Sequence, residues 1–473
     1  LNILHLIPRL IGGGPEQSVL ALAAETAALG VAHRHTLAVL DTPVAPRMVA
    51  AARRRGVGVA IRLDLPALHR LVAQADIVQI HYWNHPLLLA LLRQTEFPPA
   101  RIVLCARVLG TEAPQVLTAE IGRFADHLVL TSELSRDTAG ARAAAAAGKP
   151  VTVIPGISDM GRLDGFVREP HPGCVVGYLG AVNDAKMHPR FPEMAAAVAD
   201  PSVRFLICGG GGGEDRLRRR LHALGLAERA EVTGYVTDVR AALQRMDVFG
   251  YPLTPQTYAT SEKALQEAMW VGIPPVVFPH GGVRLLVEHE RTGLVAATEA
   301  AYVAAIERLA ADTALRHRLG AEARRFARRN FDPAAWTRAT VALFEDAAST
   351  PRRNRARLHA GVETAAAGFV AALDDRAGPF ALSLAGCRSV DADAIAAADR
   401  AIARSSVLLA HGEGGIIHYR NAAPHDPHLR LWSGLLAEAA HDFALADREF
   451  EAAERCGMTD DRAAHYRRRA RGW

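Results

Sequence analysis

The chain has 473 residues, 50% of them hydrophobic and 22% charged, which is enough for two or three domains with real cores and an ordinary charge content for a soluble protein. Its apolar runs break well short of the roughly 18 residues a membrane span needs, and "LNILHLIPRL" has no basic region ahead of its apolar run, so neither a span nor a signal peptide is expected. Net charge is +5, with arginines clustered at 53–55, 218–220, 352–357 and 467–471; these are either solvated helix faces or a basic surface for anionic lipid or phosphate-bearing substrates, and the lack of aromatic residues interleaved with them speaks against nucleic acid.

The chain begins at Leu1 rather than Met, which leaves its natural start open. The five cysteines (105, 174, 208, 387 and 456) lie far apart and form no C-x-x-C pair, so neither a zinc site nor a disulfide framework is expected, and a reducing, cytoplasmic compartment fits.

Residues 2–7, "NILHLI", read as a buried strand. "PRLIGGGPE" follows as a turn, and "QSVLALAAETAALG" has helical spacing with a stop at Gly30. "HTLAVLD", "ADIVQIHYW", "RIVLCARVL", "ADHLVLTS" and "VTVIPG" continue the strands, with helical segments between most of them. Strands alternating with helices imply a parallel sheet covered on both faces. A second series starts at "CVVGYLG" and runs through "VRFLICGG", "AEVTGYV", "MDVFGYPL" and "PPVVFP". "GEDRLRRRLHALGL" and "AYVAAIERLAADTALRHRLGAEARRFARR" are its helices, and "PAAWTRATVALFEDA" closes it. Two such halves give facing sheets with a cleft at their strand carboxyl ends.

"STPRRNRAR" (349–357) reads as a basic linker, and residues 358–473 are mostly helical in pattern. Within them "WSGLLAEAAHDFALADREFEAAERCG" matches one tetratricopeptide-like unit, with Gly434, Ala446, Phe450 and Ala453 at its packing positions. One unit cannot bury its own face, so it must pack on other helices or on a partner. "HGEGGIIHYRNAAPHDPHLR" (411–430) reads as loop before a helix pair, with a metal site at His411, Glu413 and His418 as the alternative.

Four features could carry chemistry. "GGGPE" (12–16) follows a strand and opens a helix, where backbone N–H groups suit a phosphate; it can equally be a structural turn. A dinucleotide fingerprint would need glycine where Gln17 stands, although Asp41 ends the second strand where a ribose-binding acid would sit. "ICGGGGGEDRL" (207–217) is a second glycine-rich turn, either flexible or a close approach to ligand. Lys186 follows the first strand of the second half and could neutralise a leaving diphosphate or simply lie on the surface. Glu267 sits in the apolar helix of "TSEKALQEAMWVGIPPVV", which Thr260 or Ser261 can cap and Gly272 ends. Its carboxylate could hold a ribose diol, or form an i,i+4 pair with Lys263 on a solvated face.

Residues 3 to 348, about three quarters of the chain, resemble the GT-B family of retaining glycosyltransferases of the group-1 (GT4) type. The resemblance is carried in order by "GGGPEQSVLALA", "ADHLVLTSELSRD", "VTVIPGISD", "GYLGAVNDAK", "FLICGGGGGEDRLRRRL", "VTGYVTDVRAAL" and "EKALQEAMWVGIPPVVFPHGGVRLLVEHERTGLV". It implies an α/β fold of two facing Rossmann-like domains plus a mainly helical extension. The expected domains are 1–168 on the acceptor side, 169–348 for the nucleotide sugar, and 358–473 for the tetratricopeptide-like extension.

The resemblance also implies roles. Gly13, Gly14, Gly210, Ser261, Lys263, Ala264 and Glu267 would bind donor, Glu267 as the second glutamate of an E-x7-E motif holding ribose. Lys186 would meet the diphosphate, and His81, after "ADIVQI", would face the cleft. The first glutamate of that motif falls at Ala259, so Glu262 is the candidate to reach the donor sugar in its stead. The usual arginine partner of Lys186 falls at Ala181, "VIPGIS" lacks the asparagine of "IPNG", and Arg107 lies where a histidine is common.

Together these imply transfer from a nucleotide sugar to a glycan or lipid-linked acceptor, in polysaccharide biosynthesis, without metal or cofactor. The setting would be cytoplasmic, with peripheral contact at the inner membrane face and a protein partner on the C-terminal helices. Two other readings stay open: a GT-B binding or scaffold protein that has lost catalysis, motivated by Ala181 and Ala259, and a dinucleotide-dependent oxidoreductase, motivated by "GGGPE" and Asp41.

Overall fold

The computed structural model describes residues 1–386 and 391–472; Cys387 lies outside the described residues. The strands, in chain order, are β1 (Asn2–Ile7), β2 (Arg34–Val39), β3 (Gly58–Ile61), β4 (Ile77–Tyr82), β5 (Ile102–Ala106), β6 (Thr111–Glu112), β7 (Gln115–Val116), β8 (His127–Leu130), β9 (Val151–Val153), β10 (Cys174–Leu179), β11 (Val203–Cys208), β12 (Ala230–Gly234), β13 (Val248–Tyr251), β14 (Pro275–Val277) and β15 (Leu294–Val295).

They form two parallel sheets. The first runs β3-β2-β1-β4-β5-β8-β9 and the second β12-β11-β10-β13-β14-β15, while β6 and β7 make a small antiparallel pair. Strands β4, β5 and β13, at or beside the sheet centres, are buried along their whole length, because helices cover both faces. That is why β5 is apolar throughout, while β4 carries Gln79 and His81 as buried polar residues. Every strand read from the sequence is present. β3, β6, β7 and β15 were not read: β3 is a half-exposed edge, and β6, β7 and β15 have 2 residues each.

The chain divides into two compact units. One holds residues 1–11, 34–152 and 346–473; the other holds 12–33 and 153–345. The C-terminal helical region therefore shares a unit with the first sheet. The basic segment expected as a linker is pinned there: Ala100 and Arg353 exchange backbone hydrogen bonds of 3.0 Å each, and Arg355 pairs with Asp126. The core of the helical region is its own cluster around Trp432, Phe369, Phe380 and Tyr419. Helices Pro427–Ala439 and Phe443–Arg455 pack so closely that a Cβ on Gly434 would lie 2.4 Å from the Phe450 ring. Ala446, Phe450 and Ala453 are buried with it.

The segment 301–329, read as one helix, is two: Glu299–Ala311 and Thr313–Asn330. Asp312 leaves the helical conformation and its carboxylate accepts from Leu315 N at 2.8 Å, capping the second helix. No helix among the described residues is long and apolar enough to cross a membrane. Cys105, Cys174, Cys208 and Cys456 are free thiols.

Candidate functional site

The helix that carries Glu267 runs Lys263–Trp270 and lies in the second unit. Glu267 is 1% exposed. It accepts from the Ser158 hydroxyl and the Arg162 guanidinium, so its charge is both hydrogen-bonded and paired. A buried carboxylate needs such partners. Lys263 turns elsewhere: its Nζ donates to the Gly14 carbonyl at 2.6 Å and to Ser18 Oγ at 2.7 Å. The solvated Glu267–Lys263 pair is thus replaced by two separate contacts, and the second brings the "GGGPE" loop to the helix start.

The cap also differs from the expectation. Glu262, not Thr260 or Ser261, is the N-cap, with φ 39° and ψ 72°. Ser261 is held by another bond: its Oγ accepts from Gly156 N at 2.8 Å. Gln266 Nε2 donates to the Gly156 carbonyl at 2.8 Å and to the Ser261 carbonyl at 2.6 Å. The N–H and the carbonyl of Gly156 are therefore both held by the helix start. Gly272 ends the helix at φ 83° as read.

A left-handed conformation at a non-glycine residue stores roughly 1–3 kcal/mol. At Glu262 it directs a buried carboxylate onto Lys186, whose Nζ lies 2.5 Å from Oε2. The Tyr251 hydroxyl donates to the same oxygen. Burial first, and then the Glu262 charge, push the Tyr251 phenol well above its ordinary range, so it stays a neutral donor. Lys186 also sits 5.8 Å from the centre of the Tyr251 ring. At Ala181, where the family arginine is missing, the backbone carbonyl accepts from Tyr178 at 2.7 Å.

The glycine run 209–213 is not loose. Gly209 N donates to Gly234 O at 2.7 Å, Val182 N to Gly210 O at 2.8 Å and Gly213 N to Val182 O at 3.0 Å. A Cβ on Gly209 would fall 1.7 Å from the Gly180 carbonyl oxygen, so the backbones can meet only without a side chain. This lacing fixes the turn that leads to Lys186. Gly13 caps the helix Gly14–Ala28, and a Cβ on it would lie 2.7 Å from the Glu16 carboxylate. Ala264 occupies the first turn of the Glu267 helix.

His81 belongs to the other unit and is wholly buried in β4. Its Nδ1 accepts from Arg107, at 3.0 Å from Nε and 2.8 Å from a terminal nitrogen. Its Nε2 lies 3.2 Å from His5 Nδ1, and His5 Nε2 lies 2.9 Å from His35 Nδ1. Burial and the neighbouring His35 hold His5 well below its ordinary pKa. His81 is therefore one link in a buried histidine row across β2, β1 and β4 rather than a side chain presented to solvent.

The segment 411–430 is largely helical, in Ile416–Ala422 and Pro427–Ala439. Glu413 pairs with Arg9, and His418 Nδ1 accepts from Gly414 N at 3.0 Å. Among the described residues no three His, Cys, Asp or Glu side chains come together as metal ligands would.

The structure thus joins Lys186 to Glu262, and Lys263 to Gly14, within one unit. Tyr251, Ser158 and Arg162 were not singled out from the sequence. Ser158 stands in "VIPGIS", where a departure from the family pattern was the available signal; nothing local marked Tyr251 or Arg162.

Residues 173–312 match the family model described as glycosyl transferases group 1. This segment contains Lys186, Gly210, Glu262 and Glu267. Solved structures share the fold. HepE of Anabaena in complex with UDP and glucose is 18% identical, covers 72% of this chain and 99% of its own, and superposes with a TM-score of 0.56. Sucrose-phosphate synthase of Thermosynechococcus elongatus gives 18%, 73%, 99% and 0.56. A glycosyltransferase of Rickettsia africae gives 13%, 74%, 99% and 0.59. No curated protein sequence matches the chain. The two α/β units have the GT-B type of fold, and the group 1 match lies within the second.

Proposed function

We propose that this glycosyltransferase moves a sugar from a nucleotide-sugar donor to a glycan or lipid-linked acceptor, with retention of configuration at the anomeric carbon. The observation that carries the reading is the group 1 match over 173–312, which spans the Lys186, Glu262 and Glu267 constellation. HepE, bound to UDP and glucose, supports a nucleotide-sugar donor.

In this reading Glu267 holds the donor ribose, exchanging Ser158 or Arg162 for the diol. The N–H groups at the start of helix Lys263–Trp270 and at the Gly13–Gly14 turn face the phosphates, where the helix dipole favours negative charge. Lys186 stabilises the charge that develops on the leaving diphosphate. Glu262 aligns Lys186 and, in place of the glutamate replaced by Ala259, reaches the donor sugar. Because N–H groups and a lysine supply the stabilisation, no metal is needed. We place the reaction in the cytoplasm, at the inner membrane face when the acceptor is lipid-linked, and read the 427–455 hairpin as a tetratricopeptide-like platform for a protein partner.

One observation favours a second reading, a binding module without turnover. Glu262 already neutralises Lys186, and Ala181 supplies no second cation. Thermal stability against UDP, GDP, ADP, CDP and TDP separates the two. Ligand at about a hundred times its dissociation constant adds roughly 2.7 kcal/mol to the state that binds it. A shift with one nucleotide, followed by release of that nucleotide from its sugar conjugate, establishes the enzyme. A shift without release leaves the binding module.

A further inference from the structure

The order of the first sheet reverses direction between β1 and β4. In open parallel sheets, ligands bind in the crevice outside the strand carboxyl ends at such a switch point. Arg9 follows β1 there, and Asn84 and His85 follow β4. The C-terminal helical region sends a loop to these same residues. Glu413 pairs with Arg9, Gln115 Nε2 donates to the Glu413 carbonyl at 2.6 Å, and the Tyr419 hydroxyl donates to Asn84 Oδ1 at 2.7 Å. Gly414 has φ 75°, and a Cβ on it would lie 2.4 Å from the Asn84 carbonyl oxygen, so glycine is what lets the loop seat.

The polar groups brought together here are not all used. His85 is wholly buried, yet neither ring nitrogen has a hydrogen-bond partner among the described residues. Arg9 Nε and Trp83 Nε1 are also buried without one. His418 stands edge-on to His85, with ring centres 4.7 Å apart. Meanwhile the Arg9 and Glu413 side chains keep 29% and 34% of their surface exposed, which a loop serving only as a plug would have covered. The formal charges of Arg9 and Glu413 cancel, burial lowers the pKa of both His85 and His418, and Asp41 acts on His418 as a further negative charge, so the site carries no net positive charge.

We infer that Glu413 and His418 of the helical region, with Arg9, complete the acceptor site and recognise a neutral, hydroxyl-rich acceptor of the carbohydrate class. The inference rests on the glycosyltransferase reading above. A sugar hydroxyl both donates and accepts, which matches a guanidinium, a carboxylate and neutral imidazoles side by side. A phosphate or anionic lipid head would meet no net positive charge.

The test uses the full chain as wild type, Glu413→Gln and His418→Gln. For each, the thermal shift is measured with the nucleoside diphosphate that stabilises the wild type. Release of that diphosphate from its nucleotide sugar is then followed with water alone and with a panel of di- to hexasaccharides. Both variants are expected to keep the shift and the water reaction while KM for the saccharide rises at least about tenfold, roughly 1.4 kcal/mol in acceptor binding. Unchanged saccharide KM, faster transfer by the variants, or a wild type that hydrolyses its donor but uses no saccharide would each overturn the inference while leaving the glycosyltransferase reading intact. A wild type with neither shift nor release would overturn both. Should Glu413→Gln prove unstable, Arg9→Gln breaks the same pair from the sheet side and carries the same expectations.

Discussion

Lys186 reaches Glu262 across 2.5 Å, and Glu262 holds its carboxylate there from a left-handed backbone position at φ 39°. The lysine arrives on a turn laced to a glycine run, and the glutamate at the start of a buried helix. Strain of this kind persists only where the surrounding structure imposes it, which makes the pair the most informative place to perturb.

Glu262→Gln keeps an acceptor for the Tyr251 hydroxyl but removes the charge opposite Lys186. Transfer should fall by about tenfold or more, because Lys186 is no longer aligned on the leaving group. Nucleoside diphosphate should bind as tightly as before or tighter, since the lysine is released from its internal anion. Titration calorimetry and initial rates check both halves; weakened nucleotide binding with unchanged turnover would refute the assigned role.

Glu267→Ala removes the shared acceptor of Ser158 and Arg162. The Arg162 side chain is 35% exposed and can turn to water, whereas Ser158 is buried and loses its partner. Stability should therefore drop by about 1–3 kcal/mol, less than for a fully buried ion pair. Urea denaturation reads that loss. The stabilisation by nucleotide should vanish with it, and transfer equal to wild type would exclude the ribose role.

Acid should destabilise the unit that holds the first sheet. Burial lowers His85 to about 2 and His418 to about 4, with Arg9 facing both, His418 facing His85 and Asp41 acting on His418 in the opposite sense. His5 is lowered as well, by burial and by His35 and Arg107. These rings are neutral in the folded chain, while in the unfolded chain they take up protons below about pH 6.5. Their contribution is complete above that pH and is lost as pH falls toward the folded values, on the order of 3 kcal/mol for His418 alone by pH 4. Urea curves at pH 7 and pH 5 should show the lower stability at pH 5, and His418→Gln should flatten the difference. Equal stability at the two values would contradict the buried, neutral assignment.

Transfer should persist in EDTA. The proposed stabilisation of the diphosphate comes from Lys186 and backbone N–H groups. Initial rates with and without chelator test this, and activity restored only by a divalent cation would require a different account of the leaving group.

The sequence by itself determined the two parallel sheets and most of their strands, because a strand covered on both faces is dominated by apolar residues, as in β5. It determined the stop at Gly272, which is local backbone chemistry, and the candidates Lys186, Glu262 and Glu267 through their place in the ordered motifs. It did not determine the half-exposed edge strand Gly58–Ile61, whose pattern is faint at a sheet margin. Nor could it choose the partners of polar groups. Ser261 is spent on Gly156, Glu267 on Ser158 and Arg162, Lys263 on Gly14, and Arg9 on Glu413. Each of these pairs joins residues about a hundred or more positions apart. Periodicity along a chain records which face is buried; which donor meets which acceptor inside is decided only when distant segments pack.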